Sequence, residues 1–153
     1  MDMLEIIEYQ DQYKSNLKEL SYEWLEKYVS VEPEDERILN KPNETVIEGG
    51  GHIFFAKFNG KIVGTVSLIK IDEGSYEVAK LAVTELYQGR KIGRQLIEKC
   101  IQTAKQAGAK KIILYTNHVL QAAIHLYKYF GFKEIQQNVK KYIEADIMME
   151  LKI

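Results

Sequence analysis

The stretch LYQGRKIGRQLIEKC, residues 86–100, decides the fold of this chain, because it joins a strand to a helix through a turn with two glycines and three cations. The apolar stretch VAKLAV (78–83) before it is typical of a strand. Apolar side chains then recur at helical spacing as far as Gly108, which we expect to end the helix: Ile92, Leu96, Cys100, Ile101 and Ala104. A helix that begins directly after such a turn presents unpaired backbone N–H groups, which favour an anion such as phosphate.

The turn at residues 88–94 nevertheless matches neither of two well-defined phosphate-binding patterns. It lacks G-x-x-x-x-G-K-[ST], and the spacing of Gly89 and Gly93 does not fit G-x-G-x-x-G. From the backbone alone, two interpretations therefore stay open. The turn either binds an anion or is an ordinary strand-to-helix connection with solvated cations.

Composition limits the classes of protein that this chain can belong to. With 153 residues, 46% of them hydrophobic, we expect a single domain over residues 1–153. The balance of 21 Lys and Arg against 22 Asp and Glu argues against a nucleic-acid partner. One cysteine cannot form an internal disulfide, and we expect Cys100 to be buried and unreactive. Since the N-terminal stretch is acidic and no stretch has the length of a membrane span, we expect a cytoplasmic protein with no membrane contact.

Periodicity and turn residues predict the remaining elements, working outward from residues 86–100. Helices are predicted over 13–28, from Pro33 to Pro42, and over 120–130. Asn59-Gly60 predicts a hairpin, and the full set of predicted strands is 4–9, 52–58, 61–71, 76–83, 111–116, 132–135 and 142–151. The order βααβββαβαββ predicts a mixed α/β (α+β) domain whose sheet carries helices on both faces.

Two stretches resemble one known family. LAVTELYQGRKIGRQLI (81–97) resembles the acetyl-coenzyme A motif R/Q-x-x-G-x-G/A of the GNAT superfamily of N-acetyltransferases, with Gln88 at its first position and Gly93 at its last. LYTNHVLQAAIHLYKYFGFKEI (114–135) is similar to the family's second motif, a strand and helix that end in Leu-Tyr shortly before Gly-Phe. The resemblance is to small bacterial single-domain members. It implies a central, mostly antiparallel mixed sheet of about seven strands, with acetyl-CoA as co-substrate and no metal.

The chain departs from the family pattern at two positions. Lys91 stands where the motif has its first glycine, and a side chain is tolerable there if φ stays negative. Leu120 stands where many members carry an asparagine that bonds the pantetheine arm, and Asn117 is expected to replace it.

The resemblance also implies which residues bind the coenzyme. The backbone of Leu81, Ala82 and Val83 would bond the pantetheine, and one of these amides would polarise the thioester carbonyl. The pyrophosphate would lie on the amides of Gln88, Gly89, Arg90, Lys91, Ile92, Gly93 and Arg94.

Two residues are candidates for acid–base chemistry on the resemblance. Tyr127 matches the tyrosine that serves many members as general acid toward the sulfur, although it could instead be a core residue. Glu77 lies where several members carry the base that deprotonates the amine, although it could instead face solvent on an alternating strand. His118 and His125 are rival bases, with His125 expected on a helix surface, and the histidine spacing argues against a metal.

The acceptor would be a primary amine of a small molecule or a protein. Carboxylates beside aromatic rings suit such a group, and the candidates are Trp24, Tyr28, Glu32, Asp35 and Tyr142. The acidic run VEPEDE (31–36) could equally serve helix capping and solubility. The final alternating strand could pair with a second copy, so a homodimer is expected by analogy.

The sequence suggests three candidate functions. The first is an acetyl-CoA-dependent N-acetyltransferase in which the amine attacks the thioester directly in a ternary complex. The alternative, which Lys91 favours, is a non-catalytic acyl-CoA sensor or interaction domain with the same fold. An RNA-binding domain is disfavoured by the net charge of -1 and by the absence of basic residues interleaved with strand aromatics.

Overall fold

A computed structural model describes residues 3–137 and 140–153 of the chain. The helices are α1 (Lys14–Tyr28), α2 (Pro33–Asn40), α3 (Ile92–Gln106) and α4 (Gln121–Tyr129). Short 3₁₀ turns precede α1 and α3, and a π-helical turn, Asn43–Ile47, follows α2. The strands are β1 (Leu4–Glu8), β2 (His52–Phe58), β3 (Lys61–Asp72), β4 (Ser75–Val83), β5 (Lys111–Thr116), β6 (Lys133–Ile135) and β7 (Ile147–Lys152).

The strands form one seven-stranded sheet in the order β1-β2-β3-β4-β5-β7-β6. Among the strands of the described residues, only β4 and β5 are parallel neighbours, and the other pairs are antiparallel. This confirms the predicted fold class and the predicted order of helices and strands. The hairpin at Asn59-Gly60 is also confirmed, with positive φ at both turn residues.

Alternate residues of β2 face opposite sides of the sheet and enter two separate cores. Phe54 belongs to the core that includes buried side chains of α3 and α4. Its neighbours Ile53 and Phe55 belong to the core that includes buried side chains of α1 and α2. Because successive side chains of a strand point to opposite faces, an apolar run such as this one requires cover on both sides.

The predicted start of the last strand is wrong. It was expected at Tyr142, but β7 begins at Ile147. The backbone N–H groups of Ile143 and Glu144 donate to the carboxylate of Glu32, at 2.7 and 3.0 Å, and are therefore not available to a strand ladder. We call residues 140–146 the β6–β7 loop. In the part of the chain that the structure describes, no helix is long and apolar enough to cross a bilayer.

Candidate active site

The candidate site lies where the parallel strands β4 and β5 separate. β4 and β5 pair only at Ser75–Lys111, Tyr76–Ile112 and Glu77–Ile113. Beyond this point β4 stays with β3, and β5 stays with β7 as far as Thr116. The strands therefore diverge after Glu77. Beyond that residue, the facing edges of β4 and β5 are not paired with each other. An elongated ligand can reach backbone groups of both strands in this opening.

A β-bulge marks the same part of β4. In the β3–β4 register Thr65 pairs with Ala82 and Ser67 pairs with Ala79, so Lys80 and Leu81 stand opposite a single residue. Lys80 has a left-handed φ of 58°, which is uncommon for a residue with a side chain. A bulge leaves a residue outside the ladder and redirects side chains. Here the bulge lies in the part of β4 that has separated from β5, and Lys80 is in the wall of the opening.

A cavity of about 280 Å³ occupies the opening. Most predicted site residues line it: Trp24, Glu32, Asp35, Glu77, Leu81, Ala82, Val83, Gln88, Gly93, Asn117, Tyr127 and Tyr142. The remaining predicted residues are outside its lining: Tyr28 at the end of α1, and Gly89, Arg90, Lys91, Ile92 and Arg94 in the turn and first helical residues of α3.

The turn before α3 has the backbone geometry of an anion site. Gly89 and Lys91 both have left-handed φ values, 79° and 63°, so the negative φ that would make a side chain at Lys91 tolerable is not found. Lys91 is the N-cap, and the amides from Lys91 to Arg94 precede the first intrahelical donor, Gln95. Left-handed residues in such a turn bring successive N–H groups to one side, at the positive end of α3.

The two arginines of this turn lie over aromatic rings. The Arg90 guanidinium lies 5.1 Å from the ring centre of Tyr87, and that of Arg94 lies 4.1 Å from the ring centre of Tyr129. Arg94 also donates to the Tyr129 hydroxyl. The Gln88 side chain donates to the Val83 carbonyl at 3.0 Å and so ties the turn to the end of β4.

Glu77 is buried, not exposed to solvent. Its exposed fraction is 1%, and it lies at the last paired residue of β4 before the opening. Burial raises the pKa of its carboxyl above the ordinary value, while the ammonium groups of Lys141 and Lys80 act in the opposite direction. A buried carboxylate with a raised pKa is suited to accepting a proton near neutral pH.

Tyr127 is both a core residue and a residue of the cavity, the two positions that the sequence left open. It packs edge-on against Phe132 in the core, with ring centres 5.9 Å apart, and it also lines the cavity. Burial raises the pKa of its hydroxyl further above neutrality. The two rival bases, His118 and His125, are both exposed, and His125 lies on α4 as expected.

Most of the residues predicted to bind the acceptor amine form contacts with other residues of the protein. Asp35 forms an ion pair with Lys80 and accepts from the Glu32 amide at 2.9 Å, while the Glu32 carboxylate holds the β6–β7 loop. The Lys80 ammonium lies 4.6 Å from the ring centre of Tyr142. The carboxylates of Asp35 and Glu32 therefore stabilise the wall of the cavity through these contacts, in addition to any contact with an acceptor.

Asn117 is engaged at both ends of its side-chain amide. Its nitrogen donates to the Glu144 carbonyl and its oxygen accepts from the Val119 amide at 3.0 Å. It thus connects the loop after β5 to the β6–β7 loop. Its contact with a pantetheine arm stays a prediction.

Among the residues that the sequence did not predict, three bear on the chemistry of the site. Lys80 interrupts an apolar strand, which could have marked it as unusual. Ser21, buried on α1 at 2% exposed, lines the cavity but lies within an ordinary amphipathic helix. Lys141 pairs with Glu77 across 64 residues of sequence, and no local pattern could have signalled that contact.

Comparison with known proteins identifies a family match over most of the chain. The model of the acetyltransferase (GNAT) family matches residues 11–132. Human N-acetyltransferase 8B is 28% identical over 96 residues, which are 60% of this chain and 42% of that protein. An uncharacterized N-acetyltransferase of Mycobacterium tuberculosis is 35% identical over 81 residues, 53% of this chain and 52% of that protein. The chain thus spans about half the length of these relatives.

Solved structures match over nearly the full length. A GNAT-family acetyltransferase from Staphylococcus aureus has a TM-score of 0.90 and 26% identity, covering 98% of this chain and 99% of that one. The PaiA N-acetyltransferase from Thermoplasma acidophilum, solved in complex with coenzyme A, has a TM-score of 0.78 and 20% identity, covering 99% of each chain. The second likeness concerns the fold alone.

Proposed function

Since this chain belongs to the acetyltransferase (GNAT) family, we propose that it transfers the acetyl group of acetyl-CoA to a primary amine of a small molecule or a protein. The observation that carries the proposal is the cavity between the diverging strands β4 and β5, which Glu77 and Tyr127 both line. This supports the proposal, because a candidate proton acceptor and a candidate proton donor line the same opening.

The residues of the site fit a coenzyme of this kind. The unpaired edges of β4 and β5 offer backbone donors and acceptors to a pantetheine arm. The amides that begin α3, together with the left-handed turn at Gly89 and Lys91, suit a pyrophosphate. When bound, acetyl-CoA supplies the activated acetyl group as a thioester.

Direct transfer needs a base, an oxyanion donor and an acid. Glu77 would accept the proton of the attacking amine, directly or through water. A backbone N–H near the bulge, among Leu81, Ala82 and Val83, would polarise the carbonyl as the new N–C bond forms. The C–S bond then breaks, and the Tyr127 hydroxyl would donate its proton to the departing thiolate.

The first experiment measures the melting temperature of the protein with and without acetyl-CoA, with AMP and free pantetheine as controls. A ligand that binds only the folded state raises this temperature. We expect a clear rise with acetyl-CoA, followed by coenzyme A thiol release in a screen of primary amines. The absence of any rise at millimolar acetyl-CoA contradicts the proposal.

The same screen tests the competing function. Tight coenzyme binding with no thiol release across a wide panel of amines would favour a non-catalytic acyl-CoA sensor. The observation behind this alternative is the left-handed Lys91 at the N-cap of α3, where the family motif has a glycine.

A further inference from the structure

The two oxygens of the Glu77 carboxylate have different surroundings. Oε1 accepts a hydrogen bond from the ammonium group of Lys141. Oε2 is buried and has no hydrogen-bond partner within residues 3–137 and 140–153. Glu77 lines the cavity, whereas Lys141 is not among the lining residues. One oxygen is therefore held by the protein, and the other is unpaired in a carboxylate that borders the cavity.

Lys141 is held in place by its own loop. The carboxylate of Glu32 accepts from the amides of Ile143 and Glu144, two and three residues further along the chain. The neighbouring Tyr142 packs against the ring of Tyr115 on β5, with ring centres 6.0 Å apart. The Lys141 side chain is 23% exposed, against 1% for Glu77. The Lys141 side chain is thus partly exposed to solvent. Its ammonium contacts the buried Glu77 carboxylate from a loop that these contacts hold in place.

On the basis of this geometry, and resting on the proposed function, we propose that Lys141 is a positioning residue: it binds Oε1 of Glu77 and leaves Oε2 free for the amine or its bridging water. A buried carboxylate without such a partner would turn toward another donor or take up a proton. Lys141 thus determines both the orientation and the charge of the group that must accept the proton.

The charge of Glu77 depends on its whole surroundings. Burial favours the neutral acid, and among the opposing influences the attraction of Lys141 is the largest. The other titratable groups that act on Glu77 or feel its charge come from four elements: Lys80 on β4, Glu34 on α2, Tyr115 on β5 and Tyr142 in the β6–β7 loop. Removing Lys141 leaves Lys80, already paired with Asp35, as the remaining cation in this set.

The first arm of the test needs neither coenzyme nor acceptor. The Glu77 carboxyl is titrated by carbon-13 NMR in protein labelled at glutamate, with Glu77→Gln to assign its signal. In Lys141→Met and Lys141→Gln the pKa of Glu77 should move upward, and in Lys141→Arg it should stay near that of the wild type. Lys140→Met removes an exposed lysine one residue away and should leave it unchanged. Coincident titrations of the wild type and Lys141→Met, or an equal shift in Lys140→Met, would overturn the proposal.

The second arm measures transfer with any amine that the wild type accepts. Lys141→Met should lower kcat/KM at pH 7 by roughly 10- to 100-fold, as expected when a general base is protonated or misplaced. The acid limb of the pH profile should move to higher pH, and Lys141→Arg should restore it. An unshifted profile in Lys141→Met overturns the inference. A wild type that transfers to no amine overturns the proposed function instead, while the titration still decides how Lys141 acts on Glu77.

Discussion

Lys80 and Asp35 form an ion pair whose side chains are only 6% and 4% exposed. The pair connects the bulge of β4 to the first turn of α2, which are 45 residues apart in sequence. It therefore connects α2 to β4 at the wall of the cavity, which both residues line. Asp35 uses its second oxygen to accept from the Glu32 amide, so each oxygen of this carboxylate has a partner.

We expect Asp35→Asn to lower the free energy of unfolding by about 3 kcal/mol, because it leaves the Lys80 charge buried without its partner. Urea denaturation measures the loss. The matched control is Glu34→Gln, which breaks the more exposed pair with Arg37 on the same helix and should cost less than about 1 kcal/mol. Equal losses in the two variants would show that burial does not distinguish these pairs.

Tyr127→Phe tests the proton donor without disturbing the core. The ring can still pack on Phe132, so stability and acetyl-CoA affinity should stay close to those of the wild type. Because the variant lacks the hydroxyl proposed to protonate the departing thiolate, its kcat should be lower by about 100-fold. Steady-state kinetics and coenzyme titration measure the two quantities. Tyr13→Phe, before α1, is the control, and equal kcat for Tyr127→Phe and wild type would remove Tyr127 from the mechanism.

Lys91→Gly and Lys91→Ala separate backbone strain from charge at the N-cap of α3. A left-handed side-chain residue costs about 1–2 kcal/mol, and the entropy lost by a glycine costs about 0.5–1 kcal/mol. Lys91→Gly should therefore stabilise the protein by about 0.5 kcal/mol in urea denaturation. Lys91→Ala keeps the strain and should give no gain. A destabilised Lys91→Gly variant would contradict the left-handed φ.

Both variants also test the cation in the proposed pyrophosphate site. Each loses the Lys91 charge, so each should show a smaller rise in melting temperature with acetyl-CoA than the wild type. A reduced rise in Lys91→Ala but not in Lys91→Gly would mean that the backbone freedom of glycine compensates for the lost charge, and an undiminished rise in both variants would exclude a role for the charge. The comparison needs only thermal melts with and without the coenzyme.

The raised pKa of Glu77 predicts a pH dependence of stability. Between the ordinary value of 4.5 and its folded value, Glu77 holds more protons in the folded state than in the unfolded state. The free energy of unfolding should therefore fall as pH rises through this window. Glu77→Gln should remove that slope, whereas Glu98→Gln, on the exposed side of α3, should keep it. Urea denaturation across pH 4–8 measures the slopes, and parallel slopes for Glu77→Gln and wild type would contradict the prediction.

The same carboxyl should set the acid limb of activity. As pH falls through the pKa of Glu77, the base takes up a proton and kcat/KM should decline. Glu77→Gln should lower kcat/KM by about 100-fold or more and abolish the limb. A limb that persists in this variant would assign the proton transfer to another group.

The sequence by itself determined the order of helices and strands, because hydrophobic periodicity and turn residues act over a few neighbouring positions. Both faces of β2 could be expected to be covered, since its apolar residues do not alternate with polar ones. The turn at residues 88–94 was located in the same way, from two glycines and the helical pattern that follows. The last strand was predicted too long, since the bonds between Glu32 and the β6–β7 loop join distant residues.

Tertiary structure alone decided the chemistry of the site. Whether Glu77 is buried depends on where β4 separates from β5, and its partner Lys141 lies 64 residues away. The left-handed φ of Lys91 and Lys80 follows from a turn and a bulge, which the surrounding fold holds in an unfavourable local conformation. Charges and pKa values depend on burial and on contacts between remote segments, and a linear pattern of residue types does not contain these quantities.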